Sequence, residues 1–295
     1  MSSITSKERL KEVCEYAYKY GNAQTSEHFD LAISSIERYK REYNKKPNVK
    51  VLIFDIENAP VKAYVWNTQV WKAFVGHNQI ERDWFMLTWS AKWLYDNEIH
   101  HDKLTPKEAK KGDDSRLVKS LWHLFDEADI IVAHNLNKFD MPMANTRFIM
   151  NGLPPVRPYQ CIDTLQIARQ NFRFTHNKLD YLGELFGLGH KIETTFGLWV
   201  NCMKGKKKAL QEMLDYNDQD VLLLEEVYLK LRGWTKSHPN MNHYSEDTVC
   251  SCCGSRNLKA KGKYRTAVNE FQTYQCQDCG AFSRANKKSV QSVAR

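Results

Sequence analysis

Asp55 and Glu57 close an apolar run, Val49-Lys50-Val51-Leu52-Ile53-Phe54. In a strand, positions i and i+2 share a face, so the two carboxylates converge beyond the sheet edge. Two like charges so close need a cation between them. Asp140 follows a second apolar run at a helix start, and Tyr216 and Asp220 lie one helical turn apart on a common face. Oxygen ligands in such numbers are the chemistry of Mg²⁺ or Mn²⁺. A different chemistry sits further along, where Cys250-Ser251-Cys252-Cys253-Gly254 and Cys276-Gln277-Asp278-Cys279-Gly280 form two Cys-x-x-Cys-Gly knuckles 22 residues apart. Taking Cys250, Cys253, Cys276 and Cys279 as the set, with Cys252 left over, gives both knuckles one register and predicts a single Zn²⁺. Four thiolates leave no open coordination position, so that zinc is structural.

These groups need elements to hold them. Residues 49–57 read as a strand, as do 61–75 and 84–95, rich in Val, Trp, Phe and Tyr; 129–133 is a further buried strand. A helix is expected at 114–128, with Leu117, Leu121, Leu124 and Phe125 on one face. Another carries Met141, Met143, Ala144 and Phe148. Shorter helical segments fill 163–188, and a long helix covers about 207–232. Strands first, then alternation of strand and helix, imply an α/β domain at 49–235 built on a mixed central sheet. Ahead of it, residues 1–46 are helical, with breaks at Gly21-Asn22 and Asp30, and Lys45-Lys46-Pro47-Asn48 reads as a linker. Ser26, Phe29, Leu31, Ile36 and Tyr39 fall where a helix-turn-helix places its core, although Asp30 replaces the usual turn glycine. If the segment is one, Arg38 and Arg41 ride on the helix that enters a major groove; the alternative is a small helical cap. Residues 245–286, with strands expected at 264–268 and 271–275, resemble a zinc ribbon, and 287–295 form a basic tail.

Charge is distributed unevenly. The 295 residues carry a net +8; the first 48 hold +2, residues 49–235 are neutral and the last 60 hold +6. A neutral centre between basic ends suits chemistry in the middle and a polyanion held by the flanks. No apolar run approaches the ~18 residues of a membrane helix, and the start lacks a signal-peptide core, so no membrane partner is expected. Three scattered cysteines beside a Cys-x-x-Cys cluster suit a reducing cytoplasm, bacterial or phage-infected, with nucleoid association in view.

Phe54-Asp55-Ile56-Glu57, His134-Asn135 with Phe139-Asp140, and Tyr216-x-x-x-Asp220, in this order, resemble the three motifs of the DEDD 3′–5′ exonuclease superfamily. Tyrosine in the third motif marks its tyrosine subclass. The resemblance covers roughly residues 49–232 and implies a ribonuclease-H-like fold with two Mg²⁺ or Mn²⁺ ions. Asp55, Glu57 and Asp220 would hold one, and Asp55, helped by Asp140 through water, the other. Tyr216 would orient the attacking water, because a phenol with a pKa near 10 is a poor base at neutral pH. Phe54, Ile56, Asn135 and Phe139 would grip the terminal nucleotide.

The expected activity is hydrolysis of DNA from a 3′ end to nucleoside 5′-monophosphates in repair, recombination or replication, with a replication or repair protein as a further partner. RNA is the alternative substrate. Rival readings are a ribonuclease-H-like endonuclease or transposase and a non-catalytic binding module. Basic groups interleaved with aromatics in the ribbon, Arg265 and Tyr274 among them, suit phosphate contact and stacking, against the competing reading of a protein-binding ribbon. Among the remaining polar residues, Asp163 reads as a helix N-cap, Asp215 and Asp218 as solvated, and His100-His101 as a loop. The lysines at 204 and 206–208 form a charge run, either a solvated face or a phosphate contact.

Overall fold

The computed structural model describes residues 6–43, 49–66, 74–189 and 194–290. The side chains of Arg41 and Lys288, the expected linker, much of the strand expected at 61–75, and residues 291–295 of the basic tail lie outside the described residues. The chain divides into a central unit, Val49–Pro239, and a unit made from the two flanks.

In the N-terminal flank, α1 (Ser6–Tyr20), α2 (Asn22–Phe29) and α3 (Ile33–Tyr43) pack around Val13, Ala17 and Ile36, with Phe29, Leu31 and Tyr39 against them. Asp30 takes the left-handed conformation at φ 50° that the tight turn requires, which Asp tolerates better than most residues. Arg38 is exposed and leans on the Tyr39 ring, whereas Lys40 is used internally, donating to Asn22 Oδ1 at 2.6 Å.

The central unit opens with β1 (Val51–Asn58), whose first four residues are fully buried. The two-residue β2 (Lys62–Ala63) pairs with β3 (Ile80–Arg82) in a separate ribbon. Then come β4 (Met86–Trp93), β5 (Ile99–Lys103), α4 (Pro106–Lys111), α5 (Ser115–Glu127), β6 (Ile130–Ala133), α6 (Asp140–Met150) and β7 (Gln160–Asp163). Four helices follow: α7 (Thr164–Asn171), α8 (Leu179–Leu185), α9 (Phe196–Met203) and the 25-residue α10 (Lys207–Leu231). The sheet order is β5-β4-β1-β6-β7, antiparallel from β5 to β1 and parallel from β1 to β7. The mixed sheet expected from the alternation of elements is the one found.

Several elements depart from the sequence reading: among the described residues of the strand expected at 61–75 only Lys62–Ala63 is a strand, and β3 and β7 were not expected. Residues 100–101 are in β5 rather than a loop: the strand is polar because it is an edge, held by Arg116, which reaches Asp102 Oδ2 at 2.5 Å, and by His101 Nδ1, 2.8 Å from Asp218 Oδ2. That contact, with Ser90 Oγ donating to Asp218 Oδ1 at 2.6 Å, makes Asp218 a strand-to-helix tie and not a solvated acid. Helix α4 was missed although Thr105 and Glu108 form a reciprocal capping box around Pro106. Deeper in, Arg147 on α6 grips Asp114 through two nitrogens at 2.5 and 2.7 Å, and Asp114 also accepts from the Met86 amide. This buried ion pair fixes α6, and so Asp140, against the sheet.

The C-terminal flank carries β8 (Leu258–Arg265), β9 (Glu270–Cys276) and β10 (Phe282–Val290), in the order β10-β9-β8. The third strand was not read from the sequence. No helix among the described residues is long and apolar enough to cross a membrane.

Candidate active site

Strand β1 delivers Asp55 and Glu57 from one face of its carboxyl end, opposite Ser90 and Thr88 of β4. Those small hydroxyl residues leave room for α10 to cross the same face. The helix brings Asp220, 4% exposed, so that ligand oxygens of Asp55, Glu57 and Asp220 lie within 4.8 Å of one another. An octahedral Mg²⁺ shell spaces its oxygens roughly 3 to 4.2 Å apart. A small inward rotation of these side chains therefore closes a ligand set, and the acids fit a divalent cation. Tyr216, one turn before Asp220, is buried, with its ring edge-on to Trp199 at 6.4 Å.

Asp140, the first residue of α6, lines the same cavity of about 700 Å³ but stands outside the three-acid cluster. Burial, joined by the charges of Asp163 and Glu57, pushes its carboxyl up to about 8. A group that keeps its proton to about 8 when folded and to about 4 when unfolded binds more protons folded in that window. Metal-free stability therefore falls as pH climbs from about 4 to about 8. Asp140→Asn is expected to raise the calorimetric Tm of the metal-free chain at pH 8 by several degrees, since the buried carboxylate costs on the order of a few kcal/mol at that pH, with the gain vanishing towards pH 4. A gain independent of pH would remove the carboxyl as its source.

Asp163 is a cap, as expected: it accepts from the Leu165 and Gln166 amides and also from those of Asn135 and Asn137. Those last bonds pin the turn after β6, where Asn135 sits at φ 74°. Ile56, Asn135 and Phe139 line the cavity, Phe139 being 44% exposed. Phe54 does not. It is wholly buried on the opposite face of β1, edge-on to Phe125 at 4.7 Å, because its neighbour Asp55 takes the cavity side. Arg265 and Tyr274 belong to the ribbon, in the other unit.

The sequence reading overlooked two groups. Asn217 is fully buried and donates through Nδ2 to Asp55 Oδ2 at 2.6 Å, while Thr88 Oγ1 donates to Asn217 Oδ1 at 3.1 Å. It lies in the stripe Met213, Asn217, Val221, Leu224, and a polar residue amid an apolar helix face was the available signal. Its bond orients Asp55 and marks it as a positioning residue. Asn217→Ala is expected to raise the Mg²⁺ concentration for half-maximal activity about 10- to 100-fold, with Thr88→Val moving it the same way. An unchanged metal requirement would reduce Asn217 to a packing residue. The second group is the opposite wall, from Arg169 and from Thr175 through Asp180. His134 secures this segment, Nε2 donating to the Asn177 carbonyl at 2.8 Å and Nδ1 lying 2.9 Å from Thr164 Oγ1. Exposed Arg169, His176 and Lys178 thus face the carboxylates across the cavity.

The mixed sheet thus carries acids from its central strand beside one from a crossing helix. Residues 93–232 match the RNase_H_2 family model of the RNase_H superfamily. This part of the chain is an RNase H-like superfamily domain, and the match carries Asp140, Tyr216 and Asp220. Asp55 and Glu57 precede the matched span and join it through β1 pairing. No curated protein matches the chain. The domain is consistent with a metal-dependent nucleic-acid hydrolase, and the Asp55, Glu57 and Asp220 cluster could hold a divalent metal.

In the C-terminal flank, Cys250, Cys253, Cys276 and Cys279 form the second cluster. Sγ of Cys250 lies 3.6 Å from Cys279 Sγ, and Cys253 Sγ is 3.6 Å from that of Cys276. These separations are too long for disulfides and near the ~3.8 Å edge of a tetrahedron with 2.3 Å Zn–S bonds. Both knuckle glycines adopt positive φ, 72° at Gly254 and 74° at Gly280, which lets each turn fold back beneath the sulfurs. The set fits zinc, and Cys252 stays outside it, its amide donating to Cys250 Sγ.

Proposed function

We propose that this protein is a metal-dependent 3′–5′ exonuclease acting on DNA. The observation that carries the reading is the convergence of Asp55, Glu57 and Asp220 from β1 and α10, with Tyr216 one turn from Asp220 and Asp140 in the same cavity. Divalent ions bound by these acids would stabilise the attacking and leaving oxygens of an in-line displacement at phosphorus. The side chains have complementary tasks. Tyr216 directs its hydroxyl at the water that attacks the terminal phosphodiester. Asn217 holds Asp55 Oδ2 and so orients the carboxylate toward Glu57 and Asp220. Arg169 and Lys178 offer cationic contacts and His176 a hydrogen-bonding ring to the backbone phosphates, and Phe139, half exposed, offers a face on which the terminal base stacks.

A time course with 3′-ended single-stranded DNA and its RNA counterpart, in Mg²⁺ or Mn²⁺, tests the reading. A ladder shortening from the 3′ end and releasing nucleoside 5′-monophosphates supports it, and the better substrate names the sugar. Cleavage of a closed circular single strand would replace it with an endonuclease.

A further inference from the structure

The three-stranded sheet of the C-terminal flank has two chemically different faces. Cross-strand partners share a face and alternate along each strand. Register pairs Lys259 with Gln275 and Phe282, Tyr264 with Phe271, and Thr273 with Arg284. One face therefore carries Lys259, Tyr264, Phe271, Phe282 and Arg284, and Lys261 joins it by placing Nζ 5.9 Å from the Phe282 ring centre. The Arg284 guanidinium lies over Phe271 at 4.4 Å and over Tyr264 at 5.3 Å.

The other face carries Lys263, Arg265 and Tyr274. Glu270 neutralises its cations, at 2.6 Å from Lys263 and 2.8 Å from Arg265. Near Ser283, the first cysteine knuckle lies against it through Ser251, whose Oγ is 2.9 Å from Ser283 Oγ. Arg265 and Tyr274, singled out from the sequence, are thus on the side whose cations Glu270 neutralises, although Arg265 itself stays exposed. On the open side, among the described residues, no carboxylate pairs with Lys259, Lys261 or Arg284, and Tyr264 and Phe282 are 49% and 57% exposed.

We infer that this open face is a docking platform for single-stranded nucleic acid. Unneutralised cations complement phosphates, and exposed rings beside them complement unstacked bases. A duplex would leave the rings unused, since its bases are already stacked on one another. The inference deepens the exonuclease reading by naming the single strand as the form of substrate, and it rests on that reading only for the claim that the bound polymer is also the one cut.

Binding is read by fluorescence anisotropy with a fluorescein-labelled 20-mer of thymidylate and a 20-base-pair duplex, using the full chain in an Asp55→Ala background so that nothing is cleaved. Tyr264→Ala with Phe282→Ala is expected to weaken the single strand about tenfold or more and the duplex less than twofold. Lys259→Gln with Lys261→Gln should lower the salt slope for the single strand by about 1.4. Lys263→Gln with Arg265→Gln, the same charge removed from the other face, should weaken it less than threefold. Equal losses from the two charge pairs, or an aromatic pair without effect, would overturn the platform. If the aromatic pair loses its zinc, Phe282→Leu alone keeps the bulk, removes the π face and gives the same test. A chain that binds in this way yet yields no 3′ ladder with Asp55 intact would fail the exonuclease reading and not this one.

Discussion

Asp55→Ala is expected to lower kcat by at least about 10³-fold while the chain remains folded. Asp55 is tied into the site twice: Asn217 donates to its Oδ2, and its carboxylate joins Glu57 and Asp220 in the acidic cluster. Removing it deletes a ligand and leaves the two remaining carboxylates with an incomplete shell. Electrostatic stabilisation of this kind accounts for the largest single losses on mutation. Because the acids act as one unit, Asp55→Ala with Asp220→Ala should fall little further than either alone. Losses that multiply would mean independent sites. The metal-free Tm separates this from unfolding, since relief of repulsion among converging carboxylates should leave it unchanged or raise it.

Cys253→Ser is expected to take zinc from one ion per chain to none, with loss of the protected amides of β8–β10. The core behind those strands is Cys250, Cys252, Cys253, Cys276 and Ala281, with Leu258 and Cys279 against it. So small a core cannot offset the chain entropy of ordering three strands, whereas structural zinc contributes roughly 10–16 kcal/mol in small domains. Cys252→Ser serves as the control, because Cys252 lies outside the four-sulfur cluster. It should retain the metal. Zinc kept by Cys253→Ser and lost by Cys252→Ser would shift the knuckle by one residue. Elemental analysis and amide exchange read both outcomes.

Much of this architecture is legible in the chain because the relevant physics is local. Carboxylates two apart at the end of an apolar strand, a tyrosine and an aspartate one turn apart, and two identical Cys-x-x-Cys-Gly knuckles are periodicities of 2 and 3.6 or fixed turns, and each is set by its own neighbours. They located the acidic cluster, the four-cysteine cluster, the long helix and the mixed sheet. The left-handed Asp30 and the Asp163 cap are of the same kind. What only the tertiary structure decided are the partnerships between distant segments and the choice of face. Asn217 meets Asp55 across 162 residues, and Asp218 meets Ser90 and His101 only when α10 crosses the sheet. Arg169 and Lys178 face the acids because His134 secures their segment. Phe54 and Asp55, adjacent in sequence, part to core and cavity because alternate strand residues take opposite faces: Phe54 packs on Phe125 of α5, whereas on the α10 face the cavity opens at the strand end. In the ribbon, composition located cations and aromatics, but strand register sorted them, neutralising Arg265 against Glu270 and leaving Arg284 stacked on the open side. A strand's period is written locally. Which of its two faces meets water depends on what the rest of the chain packs against it.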